Sequence, residues 1–185
     1  YNNLGSIYLS RDNYLEAEVC FKKSANINKK MSEPLNNLGN LYLKANNYKE
    51  GINSYKKAIS INHNFFPAHY NIGIAYKNIG DFANAKLHLE ITVNQKKDFY
   101  SAHRSLSEII KYDKKNTHLE ILENIYLDKE IKKEKKTELI FALGKAYDDK
   151  KDFKKAFSYY KEANELRKAH MSFSKEKIQK EFNDI

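Results

Sequence analysis

The chain has 185 residues, 41% of them apolar, with 33 Lys+Arg against 24 Asp+Glu for a formal net charge of +9. That is room for one domain or a short repeat array with an ordinary core. Only 2 Pro and 6 Gly exclude Pro-rich linkers, collagen-like sequence and glycine-rich low complexity, and they disfavour an all-β fold, which needs many turn residues. The single cysteine, Cys20, cannot form an internal disulfide, and no apolar run approaches the ~18 residues of a membrane span, so a cytoplasmic chain is expected. Tyr1 opens no signal peptide and falls inside a helical pattern, as in a fragment lacking its own start.

In chain order, the spacing predicts helix pairs over 1–10 and 14–28, 32–45 and 48–61, 66–79 and 82–96, 100–113 and 117–129, and 137–149 and 153–168. A last helix is expected near 174–183. Within the second pair, Leu35, Leu38, Gly39 and Tyr42 make one amphipathic stripe, and Tyr48, Gly51, Tyr55 and Ala58 make another, with a turn around Asn46-Asn47. Ser32 is the expected N-cap, with Pro34 in the first turn. The pattern repeats every 34 residues: Leu4-Gly5 and Tyr8 recur as Leu38-Gly39 and Tyr42, then as Ile72-Gly73 and Tyr76. Tyr14, Tyr48 and Phe82 keep the interval, as do Ala17, Gly51 and Ala85, and Phe21, Tyr55 and Leu89. Small residues such as Gly39 and Gly51 permit close helix approach, with aromatic rings filling the space beside them. Each hairpin leaves an apolar flank for its neighbour to cover, which describes a helical solenoid.

These residues resemble the tetratricopeptide-repeat (TPR) family and its 34-residue helix–turn–helix unit, strongly over 1–98 and again over 137–168. The resemblance implies an all-α, right-handed solenoid of five helix pairs: three regular units over 1–98, an irregular fourth over 99–136, a fifth over 137–168, and a capping helix over 169–185. Two departures stand out. Lys29, His63 and Lys97 occupy the place of the proline frequent near the end of each unit, and the fourth unit has Ile110 in the tyrosine place. The stretch 141–168 also resembles the last repeat of proteins in which TPR units precede a sulfotransferase domain. Phe141 before Ala142-Leu143-Gly144-Lys145, the pair Ala156-Phe157, and Asn164 before Arg167-Lys168 carry that likeness. It implies a catalytic domain after Ile185.

No chemistry is legible in the chain itself. His69 and His103, 34 residues apart, occupy equivalent places, and no HExxH, CxxC, GxGxxG or phosphate-binding loop occurs. The expectation is a non-enzymatic chain with no cofactor and no metal, its histidines and Cys20 serving packing. The run Lys129, Lys132, Lys133, Lys135 and Lys136 is interleaved with Glu130 and Glu134 and reads as a solvated helix end and loop. Arginine is scarce, at Arg11, Arg104 and Arg167 only, and both halves of the chain carry excess base. Nucleic-acid binders concentrate their charge and use arginine forks, so no nucleic-acid partner is expected, and no membrane one.

One surface pattern remains. Asn3, Asn37 and Asn71 recur at 34 residues, and Asn37, Asn40 and Lys44 project about 150–170° from their helix's core stripe. Neighbouring units place Asn3, Ser6 and Ser10, then Asn71, Ile74 and Asn78, then Ser105, Glu108 and Tyr112 in those rows. By resemblance the first helices line a concave groove. The expected site is therefore Asn3, Asn37, Asn40, Lys44, Asn71, Lys77, Asn78, Arg104 and Glu108, gripping the main chain of an extended peptide or partner segment through amides that both donate and accept. Three alternatives stay open: asparagines that merely order the array, the non-catalytic part of a sulfotransferase, and a lysine-rich anion-binding scaffold.

Overall fold

The computed structural model describes the backbone of residues 1–113 and 116–183, and side chains within that range except at 133–134 and from 170 onward. The described residues form α-helices and one short 3₁₀ turn, with no strand. They fall into two compact units, Tyr1–Asp98 and Phe99–Ile185.

The first unit contains three helix hairpins: α1 (Asn2–Ser10) with α2 (Tyr14–Ile27), α3 (Glu33–Lys44) with α4 (Tyr48–Ile61), and α5 (Phe66–Asn78) with α6 (Phe82–Gln95). Each turn is built the same way. Asp12, Asn46 and Gly80 take positive φ (60°, 58° and 81°), the left-handed conformation that Gly, Asn and Asp tolerate best. The next amide then reaches back over the helix end: Asn13 N donates to Tyr8 O at 3.0 Å, Asn47 N to Tyr42 O at 2.7 Å and Asp81 N to Tyr76 O at 2.9 Å. This is the Schellman closure, which satisfies carbonyls that a helix end leaves open. The same residue then starts the following helix. Asn47 Oδ1 accepts from Glu50 N at 3.3 Å, and Asp81 Oδ1 from Asn84 N at 3.2 Å. Ser32 stands at the expected N-cap of α3, but its buried side chain makes no cap hydrogen bond, while Pro34 sits in the first turn as anticipated.

Glycine sets the interhelical distance. A Cβ on Gly5 would lie 2.7 Å from the Phe21 ring, one on Gly39 would fall on the Tyr55 ring, and one on Gly73 would lie 2.9 Å from Leu89. Between hairpins, Ala17, Phe21, Leu38 and Leu41 form one buried cluster, and Tyr55, Ala58, Ala68 and Ile72 form the next. At the α2–α3 seam, Tyr42 also donates its hydroxyl to Glu18 at 2.6 Å.

The second unit holds α7 (Tyr100–Ser107), α8 (Thr117–Leu127), a 3₁₀ turn (Lys133–Lys136), α9 (Thr137–Asp149) and α10 (Phe153–Asn183). The pair α9–α10 repeats the standard hairpin: Lys151 takes φ 62°, Asp152 N donates to Tyr147 O at 3.0 Å, and a Cβ on Gly144 would meet Tyr160 at 2.7 Å. The α7–α8 pair does not. Helix α7 ends six residues earlier than the periodicity predicts, and its backbone packs on α9 rather than on α8. The reason is Tyr112. It leaves the helical path and becomes fully buried, with its backbone N donating to Asp149 Oδ2 at 3.1 Å. Its hydroxyl lies 2.6 Å from His118 Nδ1, and His118 Nε2 lies 3.0 Å from His103 Nδ1, so α7 and α8 are joined through side chains.

Two further departures concern the lysine run and the C-terminal helix. Lys129, Lys132 and Lys135 are exposed, but Lys136 is buried and donates to Tyr126 O at 2.8 Å and to Asp128 O, closing the end of α8. The separate helix expected near 174–183 is instead the continuation of α10, which runs unbroken to Asn183. The capping role expected of it concerns side chains outside the described residues.

Candidate peptide-binding face

In the first unit the asparagine rows lie on α1, α3 and α5, helices that contact one another in sequence. Their amides are engaged with each other. Asn37 Nδ2 donates to Asn2 Oδ1 at 3.0 Å. Asn71 Nδ2 donates to both Asn36 Oδ1 and Asn40 Oδ1 at 3.0 Å. Asn40 Oδ1 also accepts from the buried Tyr55 hydroxyl at 2.7 Å, so Asn40 faces the hairpin interior and not a groove. Two neighbours missing from the expected site, Asn2 and Asn36, complete the network. They sit one residue before Asn3 and Asn37, and their own 34-residue spacing is a signal that could have found them.

Lys44 reaches back to the first turn, donating to Asp12 Oδ1 at 2.6 Å and Leu9 O at 3.3 Å. The Lys44 hydrogen bond, helped by Tyr14, holds the exposed Asp12 carboxyl below the usual carboxylate range. Asn3, Ser6, Ser10 and Asn78 stay exposed, Lys77 and Ile74 are half-buried, and Ile7 is 50% exposed. The face is thus polar, uncharged over most of its area, and pinned in register by amide–amide bonds.

In the second unit the corresponding row is different. Ser105 and Tyr112 are buried, which removes them from any open face. Arg104 pairs with Glu108 at 3.2 Å and with Glu138 at 2.5 Å. Its guanidinium also lies 4.7 Å from the centre of the Phe141 ring, and Arg167 lies 4.5 Å from the same ring. Phe141 is therefore held by two cations that share Glu138, a cation–π arrangement that explains both the aromatic and the basic residue.

Four of the six histidines form two pairs. His69 Nδ1 and His88 Nδ1 are 3.1 Å apart, and His103 and His118 stack with ring centres 5.2 Å apart. Each contact needs one N–H and one lone pair, so at least one ring of each pair is neutral. Burial, then His69 and Lys56, pushes His88 down to about 4; burial, then His103, pushes His118 down to about 3. Among the described residues, no group of three or more His, Cys, Asp or Glu side chains is placed to hold a metal ion, and no helix is long and apolar enough to cross a membrane.

Hairpins of this kind, repeating at 34 residues within a unit, define a helical repeat protein. Residues 39–80 match a TPR repeat model, and residues 1–34 and 137–170 each match a tetratricopeptide repeat model. Together the matches take in more than half of the chain, which belongs to the tetratricopeptide-repeat family. No curated protein gives a significant match. Among solved structures, the chain is similar to a crystal structure of MamA, at 21% identity and TM-score 0.68, covering 93% of this chain and 99% of that one. It is similar to the crystal structure of YrrB, titled a TPR protein with an unusual peptide-binding site, at 16% identity and TM-score 0.67, covering 92% and 87%. The second TPR domain of human RPAP3, in complex with an HSP70 peptide, matches at 21% identity and TM-score 0.54, covering 58% of this chain and 89% of that one. At these identities the likeness establishes the fold.

Proposed function

We propose that this chain is a protein-interaction module that takes an extended peptide across the α1, α3 and α5 face of its first unit. The observation that carries the reading is the asparagine network. Asn2–Asn37 and Asn36/Asn40–Asn71 bonds hold three successive helices in fixed register before any ligand arrives, and preorganisation lowers the cost of binding. Asn3, Ser6, Lys44 and Asn78 supply exposed donors and acceptors around it, and Ile7 and Ile74 supply apolar contact. The peptide complex of RPAP3 and the peptide-binding site of YrrB support this use of the fold. Because Asn37 and Asn71 are structural, the discriminating variants are Asn3→Ala and Asn78→Ala. Each lost neutral hydrogen bond is worth ~0.5–1.5 kcal/mol, so the double variant should bind a peptide panel roughly 5- to 150-fold more weakly with an unchanged helical spectrum. Equal affinities across the panel would remove the face from the binding surface.

The likeness of 141–168 to repeats that precede a sulfotransferase domain is a second reading, carried by Phe141, Ala156-Phe157 and Asn164. A phosphate-binding loop encoded after Ile185 would support it, and a different domain there would refute it. An anion scaffold draws less support. Several lysines have partners within the chain: Lys22 with Glu18, Lys44 with Asp12, and Lys145 with Asp149.

A further inference from the structure

Two of the seams between successive hairpins share a design that the α4–α5 seam breaks. At the α2–α3 seam, Glu18 accepts from the Tyr42 hydroxyl and pairs with Lys22 at 2.7 Å. At the α8–α9 seam, Glu123 accepts from the Tyr147 hydroxyl. The α4–α5 seam keeps the tyrosine, Tyr76, and the lysine, Lys56, each 34 residues beyond its α2–α3 counterpart, but Ile52 stands in the place of Glu18. The result is a cleft of about 540 Å³ walled by Tyr48, Ile52, Tyr76 and Ile79 and edged by Lys49 and Lys56. No residue lining it is acidic. Lys56 Nζ lies 5.9 Å from the centre of the Tyr76 ring, and the half-buried His88 stacks on that ring with centres 5.9 Å apart. Among the described lining residues no carboxylate answers this positive charge, while the walls are aliphatic and aromatic.

We propose that the α4–α5 cleft is a second docking site, for a peptide segment that carries a carboxylate side chain next to an aliphatic or aromatic one. The ligand carboxylate takes the place that Glu18 and Glu123 fill elsewhere, between Lys56 and the Tyr76 hydroxyl, and its apolar neighbour rests on Ile52 and Ile79. The site is distinct from the first-helix face. At about 100° per residue, Tyr76 lies roughly 140–200° round α5 from Asn71, Ile74 and Asn78. Lys56 also contributes to the depression of His88, so a carboxylate arriving beside Lys56 should move His88 titration upward.

The probe is the acetylated and amidated hexapeptide Glu-Leu-Glu-Phe-Glu-Leu, with its counterpart carrying Gln at the three Glu positions. Both are titrated by nuclear magnetic resonance and calorimetry against the full chain. The expected result is saturable binding of the glutamate peptide, at least about 5-fold tighter than the glutamine peptide and weakened by salt. Shifts should centre on Ile52, Tyr76 and Ile79, and His88 should titrate at higher pH in the complex. Ile52→Glu, which restores the carboxylate found at the other seams, should weaken binding about 10-fold or more; Lys56→Gln, an exposed partner, should weaken it about 2- to 5-fold. Should Ile52→Glu fail to fold by circular dichroism, Lys56→Gln decides. Lys29→Ala, an exposed substitution outside both faces, should leave the affinity unchanged. The proposal is overturned by no saturable binding, by equal affinity for the two peptides, by indifference to the seam variants, or by shifts that centre on Asn3, Ser6 and Asn78 instead of on the cleft.

Discussion

Replacing Gly39 with leucine should destabilise the first unit by about 2 kcal/mol. Gly39 is buried, and a Cβ built on it would fall on the ring of Tyr55. That ring has nowhere to go: Tyr55 is only 1% exposed, and its hydroxyl is tied to Asn40 at 2.7 Å. Overpacking a well-packed site costs ~1–3 kcal/mol, and a side chain reaching three carbons past Cβ belongs at the top of that range. Removing a mid-helix glycine offsets ~0.8–1 kcal/mol of it, because leucine is the better helix former. At ~2–4 °C per kcal/mol for a chain of this length, the melting temperature should fall by roughly 4–8 °C. The assay is thermal and urea unfolding of the wild type, Gly39→Leu, Tyr55→Ala and the double variant. In the cycle, Tyr55→Ala should partly rescue Gly39→Leu, with a coupling of at least ~0.5 kcal/mol between two side chains that compete for one space. An unchanged melting temperature, or a strictly additive double variant, would refute the claim that this glycine sets the α3–α4 distance.

Lys151 carries a side chain in the left-handed conformation at φ 62°, so Lys151→Gly should raise stability by about 1 kcal/mol in urea unfolding; a loss would show that the turn is not strained. Lys136→Met should cost ~1–3 kcal/mol, because the carbonyls of Tyr126 and Asp128 lose a buried donor, whereas a solvated lysine would change the melt by less than ~0.5. For pH, His88 and His118 are depressed in the folded state to about 4 and about 3, against 6.5 when unfolded. The unfolded chain therefore binds more protons as pH falls from 6.5 toward 4, so stability should drop through that window and level above it, at up to ~1.4 kcal/mol per pH unit per histidine. Urea midpoints that stay flat between pH 7 and 4.5 would contradict the depressed titration of these two histidines.

Much of the fold was legible because a 34-residue interval exposes itself whatever the residues are. Gly39 facing Tyr55, and Gly144 facing Tyr160, follow from spacing alone, as do the ten described α-helix starts to within one residue. The candidate site was less legible for a physical reason. Helical periodicity gives the direction of a side chain from its own axis, but not what a neighbouring helix brings to meet it. Asn40 points away from its own core stripe and is still claimed by Tyr55 from α4 and Asn71 from α5. The fourth unit failed differently. Nothing in the local pattern of 108–113 distinguishes a helix from an extended segment; the decision is made by Asp149, far along the chain, accepting from the Tyr112 amide. Lys136 likewise looked like one lysine in a charged run until the end of α8 supplied two carbonyls for it.

That same tie between Tyr112 and Asp149 orders events during synthesis. In the first unit each hairpin closes over a short stretch of chain, Gly39 meeting Tyr55 and Gly73 meeting Leu89, so each can form as soon as its second helix emerges from the ribosome. Residues 100–127 have only a side-chain tie of their own, through His103, Tyr112 and His118, because α7 and α8 find their main backbone partner in α9. Their shape must wait until Thr137–Asp149 has been made. For the time it takes to extend from Leu127 to Asp149, ~1–4 s at ~5–20 residues per second, the nascent chain carries a finished front and an open middle. A chaperone or a pausing codon that acts on this protein would find its opening in that interval.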